Sequence, residues 1–231
     1  MKIAVLGGGA AGLAAAVTVA RGLPEASVFL YEKNNEPGKK ILATGNGRCN
    51  LSNAVISPAF YRGDVALIHL ILDHFQTADC LAFFQSMGLY TLEEEGRIYP
   101  RTMAAATVRD ILVQEMERLG IIVKSGTAVT SLKRVNALPE GKATLSVRDR
   151  PSVGFLINET EYADYVILAT GGKAGSKFGS DGDGYRLLKA LHIHYHPISP
   201  ALVSLLIRED ISGLHGLRVH AGIWLTDADG N

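Results

Sequence analysis

A glycine-rich turn lies between a short apolar segment and an alanine-rich segment at the start of the chain. Residues Lys2–Leu6 are apolar after the lysine, as in a strand buried on both faces, and residues 10–21 have the composition of a helix. Gly7, Gly9 and Gly12 between them have the spacing G-x-G-x-x-G. Glycine suits these positions because the turn is sharp, a pyrophosphate approaches the backbone, and the helix packs closely on the sheet. The pattern predicts a dinucleotide-binding βαβ unit.

An acidic residue at the end of the next predicted strand supports this interpretation. Residues Ser27–Tyr31 form a second buried strand, and Glu32 follows directly. A carboxylate at this place accepts hydrogen bonds from a ribose diol and repels a 2′-phosphate.

The rest of the chain predicts an α/β fold with a central parallel sheet and a β-meander. We predict two helices within 64–88, a helix over 104–119 and a strand over 121–124. The meander has predicted strands over 127–135, 142–148 and 153–157, with a turn at 138–141. A buried strand over 165–169 and a helix within 180–191 follow. From His192 onward we expect short β segments. The predicted domains are therefore 1–191, with a helical insertion at about 54–119, and 192–231.

The order of these elements indicates FAD rather than NAD. An NAD domain continues with regular βα units, whereas here helices and a meander precede a strand that ends in Ala169, Thr170, Gly171 and Gly172. This order resembles the two-dinucleotide-binding flavoprotein fold, a Rossmann-like FAD-binding domain in which the later glycine turn approaches the same FAD.

A polar loop makes the resemblance more specific. The sequence GKKILATGNGRCNLSN at 38–53 resembles the signature loop of the BaiN-like family of NAD(P)/FAD-dependent oxidoreductases, as do GRIYP at 96–100, GSDGDGY at 179–185 and PALV at 200–203. The resemblance implies that residues 44–50 lie near the isoalloxazine ring and that 182–184 belong to the flavin site. Arg48 would then stabilise negative charge on reduced flavin.

Together the motif and the resemblance give one set of predicted cofactor-binding residues. They are Gly7, Gly9, Ala10, Ala11, Gly12, Glu32, Lys33, Lys40, Thr44, Gly45, Asn46, Gly47, Arg48, Cys49, Asn50, Ala169, Thr170, Gly171, Gly182, Asp183 and Gly184. No catalytic residue stands out.

The predicted function is an FAD-dependent oxidoreductase that transfers a hydride between NAD(P)H or an organic substrate and a small organic acceptor. The sequence has no second G-x-G-x-x-G, so NAD(P)H would bind transiently as an electron donor. Three alternatives remain: an NAD-dependent Rossmann dehydrogenase, a flavin-dependent RNA-modifying enzyme, and an inactive or truncated FAD-binding fragment.

Charge and composition limit the kinds of binding partner that we expect. Lys+Arg and Asp+Glu are 23 each, and a chain without a basic excess is not expected to bind nucleic acid or an anionic membrane. Mean hydropathy is +0.15, yet no apolar run is long enough to span a bilayer. Two widely spaced cysteines indicate a reducing compartment, and we predict a cytoplasmic protein with a small-molecule substrate and an unspecified oligomeric state.

Two further expectations concern the end of the chain. His192, His194 and His196 alternate and would share one face of a strand, but no Cys or acidic ligand accompanies them, so we predict no metal site. The sequence predicts a strand over 219–226 and the start of a hairpin turn over 227–231. The resemblance implies that 192–231 are the beginning of a β-rich substrate domain and that the C-terminal part of a BaiN-like protein is missing. We accordingly expect weak or absent FAD retention, a tendency to aggregate and little turnover from these 231 residues alone.

Overall fold

The computed structural model describes residues 1–136 and 153–199, together with Asp210, Gly213 and Gly222. Residues Met1–Tyr195 form one compact unit. The domain boundary after residue 191 stays a prediction.

A four-stranded parallel sheet forms the centre of this unit. Its strands are β1 (Lys2–Leu6), β2 (Ser27–Tyr31), β6 (Ile122–Lys124) and β10 (Tyr165–Leu168). Their order in the sheet is β10-β1-β2-β6. Val5 pairs with Leu30 on one side and with Ile167 on the other. The chain leaves β1 toward β2 on one side and later returns as β10 on the other, so the carboxyl end of β1 is a topological switch point, where α/β sheets bind ligands.

Helices cover one face of this sheet. Helix α1 (Ala10–Gly22) packs beside α4 (Ala105–Arg118), and Leu13, Val17 and Leu112 are buried in the shared core. The predicted strand, glycine turn, helix and strand at the N-terminus are confirmed, as is the helix predicted over 104–119.

An antiparallel sheet covers the opposite face. It consists of β7 (Leu132–Asn136), β8 (Val153–Ile157) and β9 (Glu161–Ala163), and its buried residues Leu132 and Ile157 pack with Leu6 of β1. The meander is present, but sequence analysis missed β9 because it has only three residues. The predicted strand over 142–148 and the turn at 138–141 lie outside the described residues.

A second small antiparallel sheet was not predicted. Its strands are β3 (Ser52–Asn53), β4 (Thr91–Glu94) and β5 (Arg97–Pro100), in the order β3-β5-β4. These strands are too short to show periodicity. Between β3 and β4 lie the two helices that the sequence predicted, α2 (Val65–His74) and α3 (Thr77–Gln85).

The last described helix is α5 (Asp183–Ala190), and the continuous described stretch runs on to residue 199. Residues 193–199 contain no strand, so the expectation of β structure directly after His192 is wrong for this stretch. The cause is local, because His192 adopts a positive φ of 56° and turns the chain out of α5. The strand and turn predicted over 219–231 lie outside the described residues, apart from Gly222. Within the described part of the chain, no helix is long and apolar enough to cross a membrane.

Candidate cofactor-binding site

A cavity of about 300 Å³ opens at the carboxyl ends of β1, β2 and β10. Four chain segments meet there: the glycine turn after β1, the start of the loop after β2, the exit from β10, and the stretch before α5. The lining residues are Leu6, Gly7, Gly8, Gly9, Ala10, Ala11, Tyr31, Glu32, Lys33, Asn34, Lys39, Lys40, Thr127, Val129, Ala169, Thr170, Gly171, Phe178, Gly179, Ser180 and Asp183.

The three glycines of the motif have different surroundings. Gly7 has a φ of +105° and its N–H donates to the carbonyl of Tyr31 at 2.8 Å, which fixes the turn out of β1. A Cβ on Gly12 would lie 1.8 Å from the carbonyl oxygen of Gly7, so helix α1 packs against the turn more closely than any side chain allows. A Cβ on Gly9 would meet nothing within 4 Å. Gly9 therefore borders open space in the cavity, as close approach by a ligand requires.

The N-terminus of α1 is available to an anion. No side chain caps this end and its first turn contains no acidic residue. The first N–H groups of a helix have no partner within the helix, and together with the helix dipole they favour a negatively charged group.

Glu32 is buried at the end of β2, with 7% of its surface exposed. Oε2 accepts a hydrogen bond from the Gly8 N–H at 2.7 Å, and Oε1 accepts two from Asn34, from its N–H and its Nδ2, both at 2.7 Å. A carboxylate has about four acceptor positions, so about one is left for a ligand hydroxyl. The side chain lines the cavity and also holds the glycine turn to the end of β2.

The exit from β10 forms another wall, with Ala169, Thr170 and Gly171 against the cavity. A Cβ on Gly184 would lie 2.4 Å from Oγ1 of Thr170, so α5 begins in close contact with this wall. A second cavity of about 300 Å³ lies beside it. Its lining residues are Ala11, Leu168, Ala169, Thr170, Gly171, Gly184, Tyr185 and Leu188.

Both predicted lysines reach this region. Lys33 donates to Asp181 at 2.8 Å and to Asp183 at 2.5 Å, and Asp183 also forms an ion pair with Arg186, so the lysine and arginine charges together face two carboxylates. Lys40 donates to Oγ of the buried Ser180 at 3.1 Å. The loop carrying Lys40 is tied to the glycine turn because the Gly38 N–H donates to the carbonyl of Gly8 at 2.7 Å.

The residues predicted near the isoalloxazine ring lie apart from the lining of both cavities. Thr44, Gly45, Asn46, Gly47, Arg48, Cys49 and Asn50 belong to or directly follow the 3-10 segment Ile41–Gly47, which packs against α4. Arg48 forms an ion pair with Glu94 at 2.7 Å, and its guanidinium lies 4.4 Å from the ring centroid of Tyr99. Their role toward a flavin stays a prediction. Asp183 and Gly184 each line a cavity, and Gly182 caps α5 with a φ of 95°.

Cys49 has the character of a packed thiol. It is buried with 7% of its surface exposed, and burial raises the pKa of the thiol. A raised pKa lowers the thiolate fraction and hence the reactivity.

Sequence analysis missed several lining residues. They are Leu6, Gly8, Tyr31, Asn34, Lys39, Thr127, Val129, Phe178, Gly179 and Ser180. Lys39, Gly179 and Ser180 lie in stretches that carried the family resemblance, so a signal existed for these three. Thr127 and Val129 come from the segment before β7, and only the packing of the covering sheet places them here.

No group of three possible metal ligands occurs among the described residues. His192 lies in a turn and the residues that follow it form no strand, so the shared strand face considered for the three histidines does not exist there.

Comparison with known proteins identifies the family. The model of the HI0933-like protein Rossmann domain matches residues 1–213. The chain belongs to the HI0933-like family. The resemblance and the Rossmann fold predicted from the sequence are thereby confirmed.

The chain is similar to two curated proteins whose names describe different activities. The chain is 40% identical over 212 residues to a 3-dehydro-bile acid delta(4,6)-reductase of Clostridium scindens, covering 90% of this chain and 48% of the relative. It is 26% identical over 208 residues to a ribosomal RNA dihydrouridine synthase of Haemophilus influenzae, covering 89% and 49%. The chain spans about half the length of the curated relatives it matches.

A solved structure shares the fold. A flavocytochrome c3 fumarate reductase in its open conformation superimposes with a TM-score of 0.56 and 20% identity, over 81% of this chain and 40% of that one. At this identity the similarity supports the fold alone.

Proposed function

We propose that this HI0933-like chain is the FAD-binding part of an oxidoreductase that reduces a carbon–carbon double bond conjugated to a carbonyl group. The observation that carries the FAD assignment is that Gly9 and Glu32 border the same cavity at the switch point of the sheet. One offers open backbone at a helix N-terminus, and the other a buried carboxylate at the end of the next strand.

The residues present fit a dinucleotide. The backbone from Gly9 to Gly12 would hold the pyrophosphate, and Glu32 would accept a hydrogen bond from the adenosine ribose. The ammonium of Lys40 lies 3.9 Å from the Cβ position of Gly171, where it adds positive charge to the cavity wall. When bound, FAD supplies hydride acceptance and donation, and the chain supplies binding and orientation.

The names of the relatives support the substrate class. One describes reduction of a 3-oxo steroid acid at its delta(4,6) double bonds, and the other describes formation of dihydrouridine from uridine. In both, a hydride and a proton add across a ring double bond conjugated to a carbonyl group. We propose the same reaction type here, with NAD(P)H as a transient electron donor.

Between the two kinds of acceptor, we place a small molecule first. This chain is 40% identical over 212 residues to the relative named for a bile acid, and 26% identical over 208 residues to the relative named for ribosomal RNA. The equal numbers of cationic and anionic residues, 23 each, also offer no net attraction for RNA. Ribosomal RNA is the second candidate acceptor because of the named relatives. A cytoplasmic location remains part of the proposal, since Cys49 and Cys80 are free thiols.

The decisive experiment measures the binding of FAD and of NAD⁺ to the purified chain by fluorescence quenching and by calorimetry. We expect weak FAD binding at excess FAD, in line with the weak retention expected from the sequence, and no competition by NAD⁺. Binding of NAD⁺ in place of FAD would contradict the proposal and favour the alternative of a Rossmann dehydrogenase.

The acceptor is tested in a single turnover. FAD bound to the chain is photoreduced without oxygen and mixed either with 2-cyclohexen-1-one or with an unmodified ribosomal RNA transcript. We expect reoxidation by the enone. Reoxidation by the transcript alone would reverse the order of the two candidates.

A further inference from the structure

The segment that leads into α5 lines the cavity and is held by polar side chains of the loop after β2. Residues 175–183, here called the strap, comprise this segment and Asp183, the first residue of α5, and they contribute Phe178, Gly179, Ser180 and Asp183 to the cavity lining. The loop after β2 contributes Glu32, Lys33 and Asn34 to the same cavity. The two segments therefore meet at the end of the cavity where Glu32 would hold the adenosine ribose.

Three polar anchors join the strap to the residues after β2. Lys33 donates to Asp181 at 2.8 Å and to Asp183 at 2.5 Å, Asn34 Nδ2 donates to the carbonyl of Phe178 at 3.3 Å, and Lys40 donates to Oγ of Ser180 at 3.1 Å. The Lys33 anchor is the one with full charges on both sides. The lysine is 26% exposed and the two aspartates 46% and 19%, so water and salt reach the anchor.

Backbone packing adds to this contact. Gly179 has a φ of +90°, and a Cβ there would lie 2.9 Å from Cε of Lys33 and 3.0 Å from Nδ2 of Asn34. The strap thus rests directly on the two side chains that anchor it. Its own regular structure is limited to a one-turn 3-10 segment, Ser176–Phe178, and a single bridge between Gly175 and Ser180.

We propose that the strap is a gate over the adenosine end of the cavity and that the Lys33 ion pairs are its latch. This inference rests on the proposed FAD site. Every anchor joins two residues of this chain, so the latch forms without a dinucleotide, and in this proposal it forms again over a bound one. A dinucleotide enters and leaves when the strap lifts, and the latch sets how often it lifts.

This arrangement predicts a specific kinetic pattern. Loss of the latch destabilises the closed strap equally in the free and the bound chain, so the association and dissociation rates of FAD rise together. A lysine that only contacted FAD would act differently, because its loss would raise the dissociation rate and the dissociation constant alone.

The test is stopped-flow measurement of FAD binding and release by the wild type, Lys33→Met and Asp181→Asn. We expect both rates to rise about tenfold in Lys33→Met and several-fold in Asp181→Asn, with the dissociation constant changed less than threefold, since exposed ion pairs contribute about 0.2–1 kcal/mol each. The wild-type rates should also rise between low and high salt, and those of Lys33→Met should not.

Lys177→Met is the matched control. Lys177 lies within the strap, and its ammonium stands 5.0 Å from the ring centroid of the neighbouring Phe178. We expect wild-type rates from this variant. Asp181 is 46% exposed on its side chain, so its amide variant keeps the test valid even if Lys33→Met folds poorly.

The outcomes separate the gate from the FAD site. A wild-type chain that binds no FAD even when FAD is added in large excess would refute the proposed function itself. Normal FAD binding with rates unchanged in both latch variants, or with only the dissociation rate raised, would refute the gate and leave the FAD site standing.

Discussion

The carboxylate of Glu32 accepts a 2.7 Å hydrogen bond from the backbone N–H of Gly8, which joins the end of β2 to the glycine turn after β1. A Cβ on Gly8 would lie 2.8 Å from the same carboxylate oxygen, so the contact also requires glycine at this position. At the proposed FAD site Glu32 would have two tasks, since it holds the glycine turn in place and would offer an acceptor to the ribose. A substitution at Glu32 must therefore be tested for both.

We expect Glu32→Gln to weaken FAD binding by one to two decades. A hydrogen bond to a charged group contributes about 1.5–3 kcal/mol, and the amide replaces a charged acceptor by a neutral one with a single accepting oxygen. Glu32→Ala should in addition lower the free energy of unfolding of the FAD-free chain by about 1–3 kcal/mol, because the Gly8 and Asn34 donors lose their partner. Calorimetric FAD titration and urea unfolding measure the two effects separately. An unchanged dissociation constant in a folded Glu32→Gln chain would remove Glu32 from the site.

The N-terminal unit could be predicted almost to the residue because its signals are local. The apolar run predicts β1, the glycine spacing predicts the turn, and the alanine-rich segment predicts α1, each from its own residues. The observed bounds of β2 are the predicted ones. The pairing of β1 with β10 joins residues about 160 positions apart, as Ile3 and Tyr165 show. It could be anticipated only through the resemblance to flavoproteins.

The rest of the site depends on contacts that no local pattern encodes. β9 and the β3-β5-β4 sheet have strands of two to four residues, and pairing rather than periodicity makes them strands. Asn34 and Phe178 reach the cavity because two distant loops meet over it. The strap therefore could not be derived from residue spacing.

Substitution of the motif glycines should separate ligand approach from packing. We expect Gly9→Ala to leave folding intact, since its Cβ meets nothing within 4 Å, and to weaken FAD binding at least tenfold by filling the space before the helix. Gly12→Ala places a Cβ 1.8 Å from the carbonyl oxygen of Gly7 and should lower the free energy of unfolding by about 2 kcal/mol or more. Urea unfolding and FAD titration are the measurements.

Gly22→Ala is the control for this series. Gly22 ends α1 away from the cavity, and its Cβ also meets nothing within 4 Å. Alanine there should raise the free energy of unfolding by up to about 1 kcal/mol, with FAD affinity unchanged. If Gly9→Ala bound FAD as tightly as Gly22→Ala does, the approach of a pyrophosphate to this turn would be disproved.

Arg48 offers a test of the predicted flavin-facing loop. Its guanidinium lies on the Tyr99 ring and pairs with Glu94 at 2.7 Å. We expect Arg48→Ala to slow flavin reduction and make the flavin potential more negative, because a positive charge that stabilises reduced flavin is lost. The cost to stability should be about 1 kcal/mol, as both partners are partly exposed.

Glu94→Gln is the comparison for Arg48→Ala, because it breaks the ion pair and leaves the guanidinium in place. We expect the flavin potential of Glu94→Gln to match the wild type in anaerobic dye titration. Equal potentials in the wild type, Arg48→Ala and Glu94→Gln would show that Arg48 only packs the loop against the small sheet.

A final prediction concerns acid stability and the contact between α1 and α4. Hydrogen bonds from Arg118 and Arg21 lower the pKa of the buried Glu115 carboxylate to about 2, from an ordinary value of 4.5. A carboxylate whose pKa is lower in the folded than in the unfolded chain stabilises the fold above the unfolded pKa, and this contribution is lost as pH falls from about 5 toward 2. We expect Glu115→Gln to cost about 2 kcal/mol at pH 7 and progressively less at pH 4 and 3, measured by urea unfolding at each pH. Glu117 lies two residues further along α4 and is exposed, so Glu117→Gln should follow the wild-type pH profile. An equal cost of Glu115→Gln at pH 7 and pH 3 would show that the paired arginines do not depend on the charge of Glu115.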